Sequence, residues 1–193
     1  MPFMVSVIIP TEGAEQPAVA TLSALVPGAA AGVIREVLLV DRSSDSRVIE
    51  RVADIAGCNF LRFDGSHAAA LAAGAAQARG PWLMFLPAGA VLDPGWIDET
   101  AQFIQSVAAS GRPRAGVFRY ARSPYAEVSV LDRLRAIARA LAGPLADQGL
   151  LIARDHYRAL GGHAANARRA EARLLRQLGR GSRTTLRSRI VMV

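Results

Sequence analysis

The sequence contains no lysine, a single cysteine (Cys58) and only 6% aromatic residues in 193 positions. Each scarcity removes a class of protein. One thiol cannot build a cystine framework, and the three histidines stand at spacings that make no zinc pattern with it. So few aromatics leave little surface for stacking nucleobases. No apolar run approaches the roughly 20 residues that a bilayer-spanning helix needs. The segment from Met1 to Pro10 lacks the basic start of a signal peptide and enters a strand-like block at once. A soluble, cytoplasmic protein is the expectation. Disorder is disfavoured, because 51% of the residues are hydrophobic and recur in short blocks, while 20% charged is an ordinary share.

The charge that is present leans one way. Arginine supplies all 23 basic side chains against 16 acidic ones, for a net charge of +7. Such an excess suits nucleic acid, an anionic membrane face or a phosphorylated small molecule. Arginine crowds the last third of the chain, at Arg168, Arg169, Arg173, Arg176, Arg180, Arg183, Arg187 and Arg189, whereas most acids precede residue 110. At this length one domain over residues 1–193 is the expectation.

Hydrophobic patterning alternates strand with helix. Val5-Ser6-Val7-Ile8-Ile9-Pro10 reads as a buried strand, and Val19, Leu22, Leu25 and Val26 follow at helical spacing behind Pro17. Glu36 to Val40 is a second strand ending in Asp41-Arg42-Ser43-Ser44-Asp45. A helix over 46–56, a strand from Asn59 to Phe63, an Ala-rich helix from His67 to Ala78 and a strand from Trp82 to Leu86 come next. This order predicts an α/β fold with a mostly parallel central sheet, whose ligand sits outside the carboxyl ends of the strands. Beyond residue 95 the pattern predicts helices over 95–109, 127–142, 155–160 and 167–179. Strands are expected at Gly116–Tyr120, Gly149–Ile152 and Ile190–Val193. In the 127–142 segment Val130, Leu134, Ile137 and Leu141 share one face, which is expected to pack on the sheet; lying on a membrane surface is the alternative.

Taken together, the strand ends resemble a known family. Ser6 to Thr11, Glu36 to Asp41 with Ser43-Ser44-Asp45, Ala78-Arg79-Gly80 before Leu83 to Leu86, and Leu92-Asp93-Pro94-Gly95-Trp96 look like the nucleotide-sugar half of family 2 glycosyltransferases. Gly143 to Leu150, Arg154, Leu160-Gly161-Gly162 and Leu175 to Arg180 resemble a subgroup with a P-x-G-D-Q motif. The resemblance implies the GT-A three-layer fold, with residues 1–95 as the nucleotide-binding half and 96–193 as the sugar and acceptor half. It implies an inverting hexosyltransferase that uses a nucleotide-diphosphate sugar and an acceptor the sequence does not identify.

By the same resemblance Pro10, Thr11, Asp41 and Ser43 bracket the nucleotide, Asp41 as hydrogen-bond acceptor for base or ribose. A turn or cap role is the alternative for Asp41. Asp147 and Gln148 match the pair that faces sugar and acceptor, with Asp147 a catalytic candidate beside Glu171, and a backbone-satisfying turn is their alternative. Where the family carries D-x-D to hold Mn or Mg, the sequence has Pro87-Ala88-Gly89, so no metal ligand is assigned. Where it carries an E-D pair as base, the register gives Ala167 and Arg168. Glu171 serves as the base if the helix shifts by about one turn; otherwise it is an exposed i, i+4 partner of a nearby arginine. Arg187 and Arg189 match a terminal S-x-R-R segment and could neutralise the diphosphate without metal. His163 replaces the Phe of a G-G-F turn, where a surface or turn role is expected. Two other functions stay open: a catalytically inactive homologue that binds nucleotide or a partner, and an Arg-rich binder of polyanions. Nucleic acid is not expected, since no recognised motif for it occurs.

Overall fold

The computed structural model describes residues 4–121, 149–166, 170–179 and 181–193. The 127–142 segment, the Gly143–Gln148 motif with Asp147 and Gln148, the 167–168 register position, and Arg168, Arg169 and Arg180 lie outside the described residues. The chain runs β1 (Val5–Thr11), α1 (Glu15–Ala30), β2 (Ile34–Asp41), α2 (Arg47–Ala56), β3 (Asn59–Arg62) and α3 (His67–Gln77). It continues through β4 (Trp82–Phe85), β5 (Ala90–Leu92), α4 (Trp96–Ser110), β6 (Ala115–Ala121), β7 (Leu150–Ala153), α5 (Arg154–Ala159), α6 (Ala170–Leu178) and β8 (Arg183–Met192).

The strands form one eight-stranded sheet in the order β3-β2-β1-β4-β7-β6-β8-β5, so both sides of residue 95 contribute to it. β3, β2, β1 and β4 run parallel, β7 enters antiparallel, and β6 pairs parallel with β8. β1 is central because every residue in it is buried. Its side chains alternate between two cores, as a strand requires. Val5, Val7 and Ile9 join Leu22, Leu25, Ile49, Trp96 and Phe103 under α1, α2 and α4. Ile8 joins Leu71, Tyr157, Leu174 and Leu178 under α3, α5 and α6. Helix, sheet and helix thus form three layers, the α/β architecture expected from the sequence.

Two local devices bring the site's walls close. Pro10 lies past the last β1–β4 pair, Ile8 with Phe85, so its missing N–H breaks no ladder on that side. α3 begins at Ser66, whose Oγ accepts the Ala69 N–H at 3.1 Å. Gly74 then lets this helix lie directly on β1, because a Cβ there would stand 2.6 Å from Ile8 Cγ2.

Three features depart from the sequence reading. β5 is an added three-residue strand at Ala90–Leu92, too short for its pattern to register. β8 begins at Arg183 instead of Ile190; its first half hides a strand alternation, with Leu186 and Ser188 buried and Arg187 and Arg189 exposed. His163 lies in a turn, as one of its two expected roles has it, but is buried at 4% exposure instead of standing at the surface. A phenol hydrogen bond and an aromatic edge contact satisfy the ring there.

Candidate active site

The loops after β1 and β2 are tied to one enclosed carboxylate. Thr11 and Asp41 are the last pair of the β1–β2 ladder, and Asp41 is fully buried. Its Oδ1 accepts Thr11 Oγ1 at 2.8 Å and the Gly13 N–H at 2.9 Å, and its Oδ2 accepts the Ser43 hydroxyl. Burial alone would raise this carboxyl's pKa, but the hydroxyls of Ser43, Ser46 and Thr11 and the Gly13 amide hold it below the usual range. Gly13 is required by its turn, with φ of +80° and Ser43 Cβ only 3.0 Å from where a side chain would begin. Asp41 therefore holds this cradle of two loops together from within.

Arginines fasten the rim of that cradle. Arg42 donates to Glu12 Oε1 at 2.6 Å and to the Gly65 carbonyl at 3.1 Å, while Arg62 Nη2 donates to the Ser44 carbonyl at 3.0 Å. The loops after β1, β2 and β3 are thereby cross-linked at the carboxyl edge of the sheet. This is the edge where open α/β sheets receive ligands.

The loop after β4 is built into the core. The Gly89 N–H donates to the Pro17 carbonyl and to Thr21 Oγ1, both at 2.9 Å, and the Gly89 carbonyl accepts Val193 N–H at 3.1 Å. Ala88 packs against the core under α1. Its neighbours Pro87 and Gly89 bring no carboxylate, and no three His, Cys, Asp or Glu side chains converge among the described residues. The divalent cation implied by the family resemblance does not fit these residues: the hard oxygen donors it prefers are absent from the loop that would hold it.

On the other face of the sheet stand α3 and α6. Glu171, in the first turn of α6, pairs with His67 Nε2 through Oε1 at 2.8 Å, and its side chain is 22% exposed. The hydrogen bond from His67 holds Glu171 below the usual carboxylate range against the upward push of burial. Glu171, His163, Phe85, Val117, Leu150 and Leu175 line a cavity of about 20 Å³ at the end of β4. That volume holds one water or one hydroxyl group.

His163 completes the wall. Tyr157 Oη accepts the His163 backbone N–H at 3.0 Å and lies 2.9 Å from His163 Nδ1, while the ring meets Phe85 edge-on at 4.7 Å. Using the phenol proton in the Nδ1 contact places the ring proton on Nε2. Burial pushes the His163 pKa down to about 4, so the ring is neutral at pH 7.

The structure brings Thr11, Asp41 and Ser43 together with Pro10 at one strand edge, and it sets Glu171 at the end of β4. It does not bring Arg187 and Arg189 to them. β8 bulges between the Val117–Thr185 and Arg119–Arg189 pairs. Glu99 at the start of α4 accepts the Arg187 and Ser188 N–H groups there, the latter at 2.7 Å. Asp93 accepts the Arg189 N–H at 3.0 Å, with the Arg189 guanidinium 3.9 Å from its Oδ2. Among the described residues the side chain that pairs with Glu171 is His67, and Arg168 and Arg169 lie outside them. Nothing in the local pattern marks His67 or His163, because their partners come from other elements.

Residues 6–121, more than half of the chain, match the family model described as Glycosyl transferase family 2. The chain belongs to this family. Among curated proteins none matches the sequence. Solved structures place the family 2 domain in its fold. S. aureus TarS 1-349 superposes with a TM-score of 0.70 at 14% identity, covering 98% of this chain and 60% of that one. The same protein in complex with UDP-GlcNAc gives a TM-score of 0.67 at 14% identity, with 98% and 58% covered. Mannosyltransferase PcManGT from Pyrobaculum calidifontis, in complex with GDP-Man and Mn2+, gives 0.66 at 17% identity, with 97% and 56% covered. The family 2 chain thus spans less than two thirds of each of these structures, and the likeness establishes a GT-A fold. No helix among the described residues is long and apolar enough to cross a membrane.

Proposed function

We propose that this family 2 domain binds a nucleoside-diphosphate sugar in the cradle at the ends of β1 to β3 and transfers its hexosyl group, with inversion, to an acceptor hydroxyl. Glu171 is the base. The observation that carries the reading is its place: a mostly buried carboxylate at the end of β4, with Oε1 held by His67. The acceptor oxygen attacks the anomeric carbon as the bond from that carbon to the diphosphate oxygen breaks. The bonding pair leaves with the nucleoside diphosphate, and the acceptor proton passes to Glu171 Oε2. By family resemblance Asp147 and Gln148 meet the sugar and acceptor hydroxyls. The complexes of TarS with UDP-GlcNAc and of PcManGT with GDP-Man support a nucleotide sugar as donor.

Thermal-shift titration with uridine and guanosine diphosphates and their sugars, with and without manganese, tests this. A ligand that binds the native state raises the melting temperature in proportion to the logarithm of its excess over Kd. Stabilisation by one nucleotide series, equal with and without manganese, is expected, together with slow release of nucleoside diphosphate that Glu171→Gln abolishes. Stabilisation without release in the wild type would mark a nucleotide-binding homologue without turnover. No stabilisation by any nucleotide sinks the reading.

A further inference from the structure

Glu171 depends on a residue from the other half of the chain. Its side-chain partner among the described residues is His67, 104 positions earlier, at 2.8 Å. A carboxylate only accepts, so His67 Nε2 carries the proton of this bond. His67 is itself held: it opens α3 directly after Ser66, whose Oγ donates to the Ala165 carbonyl at 2.6 Å and accepts the Ala69 N–H at 3.1 Å. The start of α3 is thus pinned to the segment that leads into α6. A glutamate loses substantial rotamer entropy when fixed, and a rigid neighbour meets that cost before substrate arrives.

We propose that His67 is a positioning residue for the transfer: it fixes Glu171 Oε1 so that Oε2 is the oxygen presented to the acceptor hydroxyl. The proposal rests on the transferase reading above and adds a residue to it. The groups that titrate around Glu171 among the described residues are His67 from α3 and His163 from the turn after α5, and the rest of the cavity wall is apolar. His67 acts through the carboxylate alone.

The test compares wild type, His67→Ala and His67→Gln in release of nucleoside diphosphate from the donor sugar, with water as acceptor. Gln can donate to the same oxygen without charge. His67→Ala is expected to lower kcat about tenfold or more with donor KM within about twofold, since a general base is worth roughly 10²–10⁴ and a misaligned one loses part of it. His67→Gln is expected to recover most of kcat. Without His67 the carboxyl titrates higher, so the acid limb of the kcat profile moves to higher pH in His67→Ala. Carboxyl-labelled glutamate read by NMR gives the Glu171 titration directly, and it too should rise. An active wild type whose kcat is unchanged by His67→Ala, or whose KM rises in step with the loss, overturns the role of His67 alone. An unmoved Glu171 titration in His67→Ala does the same whether or not transfer is seen. A wild type that releases no nucleotide from any donor overturns the transferase reading beneath it.

Discussion

Thr11 and Asp41 face each other on the last rung of the β1–β2 ladder, and the threonine hydroxyl donates to Asp41 Oδ1 at 2.8 Å. The family resemblance points to this aspartate as a nucleotide contact, yet its oxygens are occupied by Thr11, Gly13 and Ser43. The carboxylate is a joint between two loops. Asp41→Ala leaves the buried Thr11 hydroxyl and the half-buried Gly13 N–H without this acceptor, while the Ser43 hydroxyl keeps the Asp45 carbonyl at 2.9 Å; a buried donor left unpaired costs about 1–3 kcal/mol. A loss of about 2 kcal/mol is expected, which for a chain of this size is a fall of roughly 4–8 °C in Tm. Calorimetry of the unliganded protein measures it. A Tm within about 2 °C of wild type would show that the donors find other acceptors, and that Asp41 was free for ligand.

Acid stability is the second prediction, and His163 sets its upper window. The folded pKa is about 4, against an ordinary value of 6.5. Between those values the unfolded chain binds a proton that the folded chain refuses, so stability rises with pH there. The contribution is complete above about pH 6.5 and is lost as pH falls through 4, amounting to at most about 3 kcal/mol. Asp41, Glu36 and Glu99 are all held below the usual carboxylate range, so their contribution is lost at lower pH still. Urea unfolding of wild type and His163→Phe from pH 7 to 4 separates the two. The variant should lose most of the slope between 6.5 and 4. An unchanged slope would assign it to other groups.

The half of the fold up to residue 95 could be read from the sequence because its strands are apolar blocks and its helices are separated from them by turn residues. Polar strands are harder: Arg183 to Arg189 belongs to the arginine-rich last third, and seven residues with three arginines hide the buried alternation of Leu186 and Ser188. Glu171 could be nominated as an acid in a stretch with no other. Its orientation could not, because His67 and the end of β4 reach it only through the tertiary fold. For the same reason the sequence does not show that the turn residue His163 is buried against Tyr157 and Phe85.

The contact of α3 with the sheet gives a third prediction. Gly74 faces β1, and a methyl there would stand 2.6 Å from Ile8 Cγ2 and 3.0 Å from Val40 Cγ2. In an exposed helix Gly→Ala stabilises by up to about 1 kcal/mol. Here the clash lies between a helix and two fully packed strands, and overpacking of this kind costs about 1–3 kcal/mol. Gly74→Ala should therefore lower stability in urea and, by lifting α3, weaken the His67–Glu171 contact. A stabilised Gly74→Ala would mean that Ile8 can turn aside freely.

Glu99 and the β8 arginines give the fourth. The two Glu99 oxygens accept consecutive N–H groups of a bulge, Arg187 and Ser188, while burial pushes the carboxyl up and these bonds pull it below the usual range. Arg187 and Arg189 project from exposed positions of β8, with Asp93 beside Arg189. Their nearest opposite charges are protein carboxylates, so a diphosphate bound in the Thr11–Asp41 cradle gains little from them once solvent screens the distance. The double variant Arg187→Ala, Arg189→Ala should keep the wild-type thermal shift with nucleoside diphosphate. Glu99→Ala should lower the Tm of the unliganded protein by leaving two backbone donors unpaired, at about 1–3 kcal/mol each where they are shielded from water, yet preserve the nucleotide-dependent increment. A tenfold loss of nucleotide affinity in the double variant would return the arginines to the phosphate site and require β8 to approach the cradle when ligand binds.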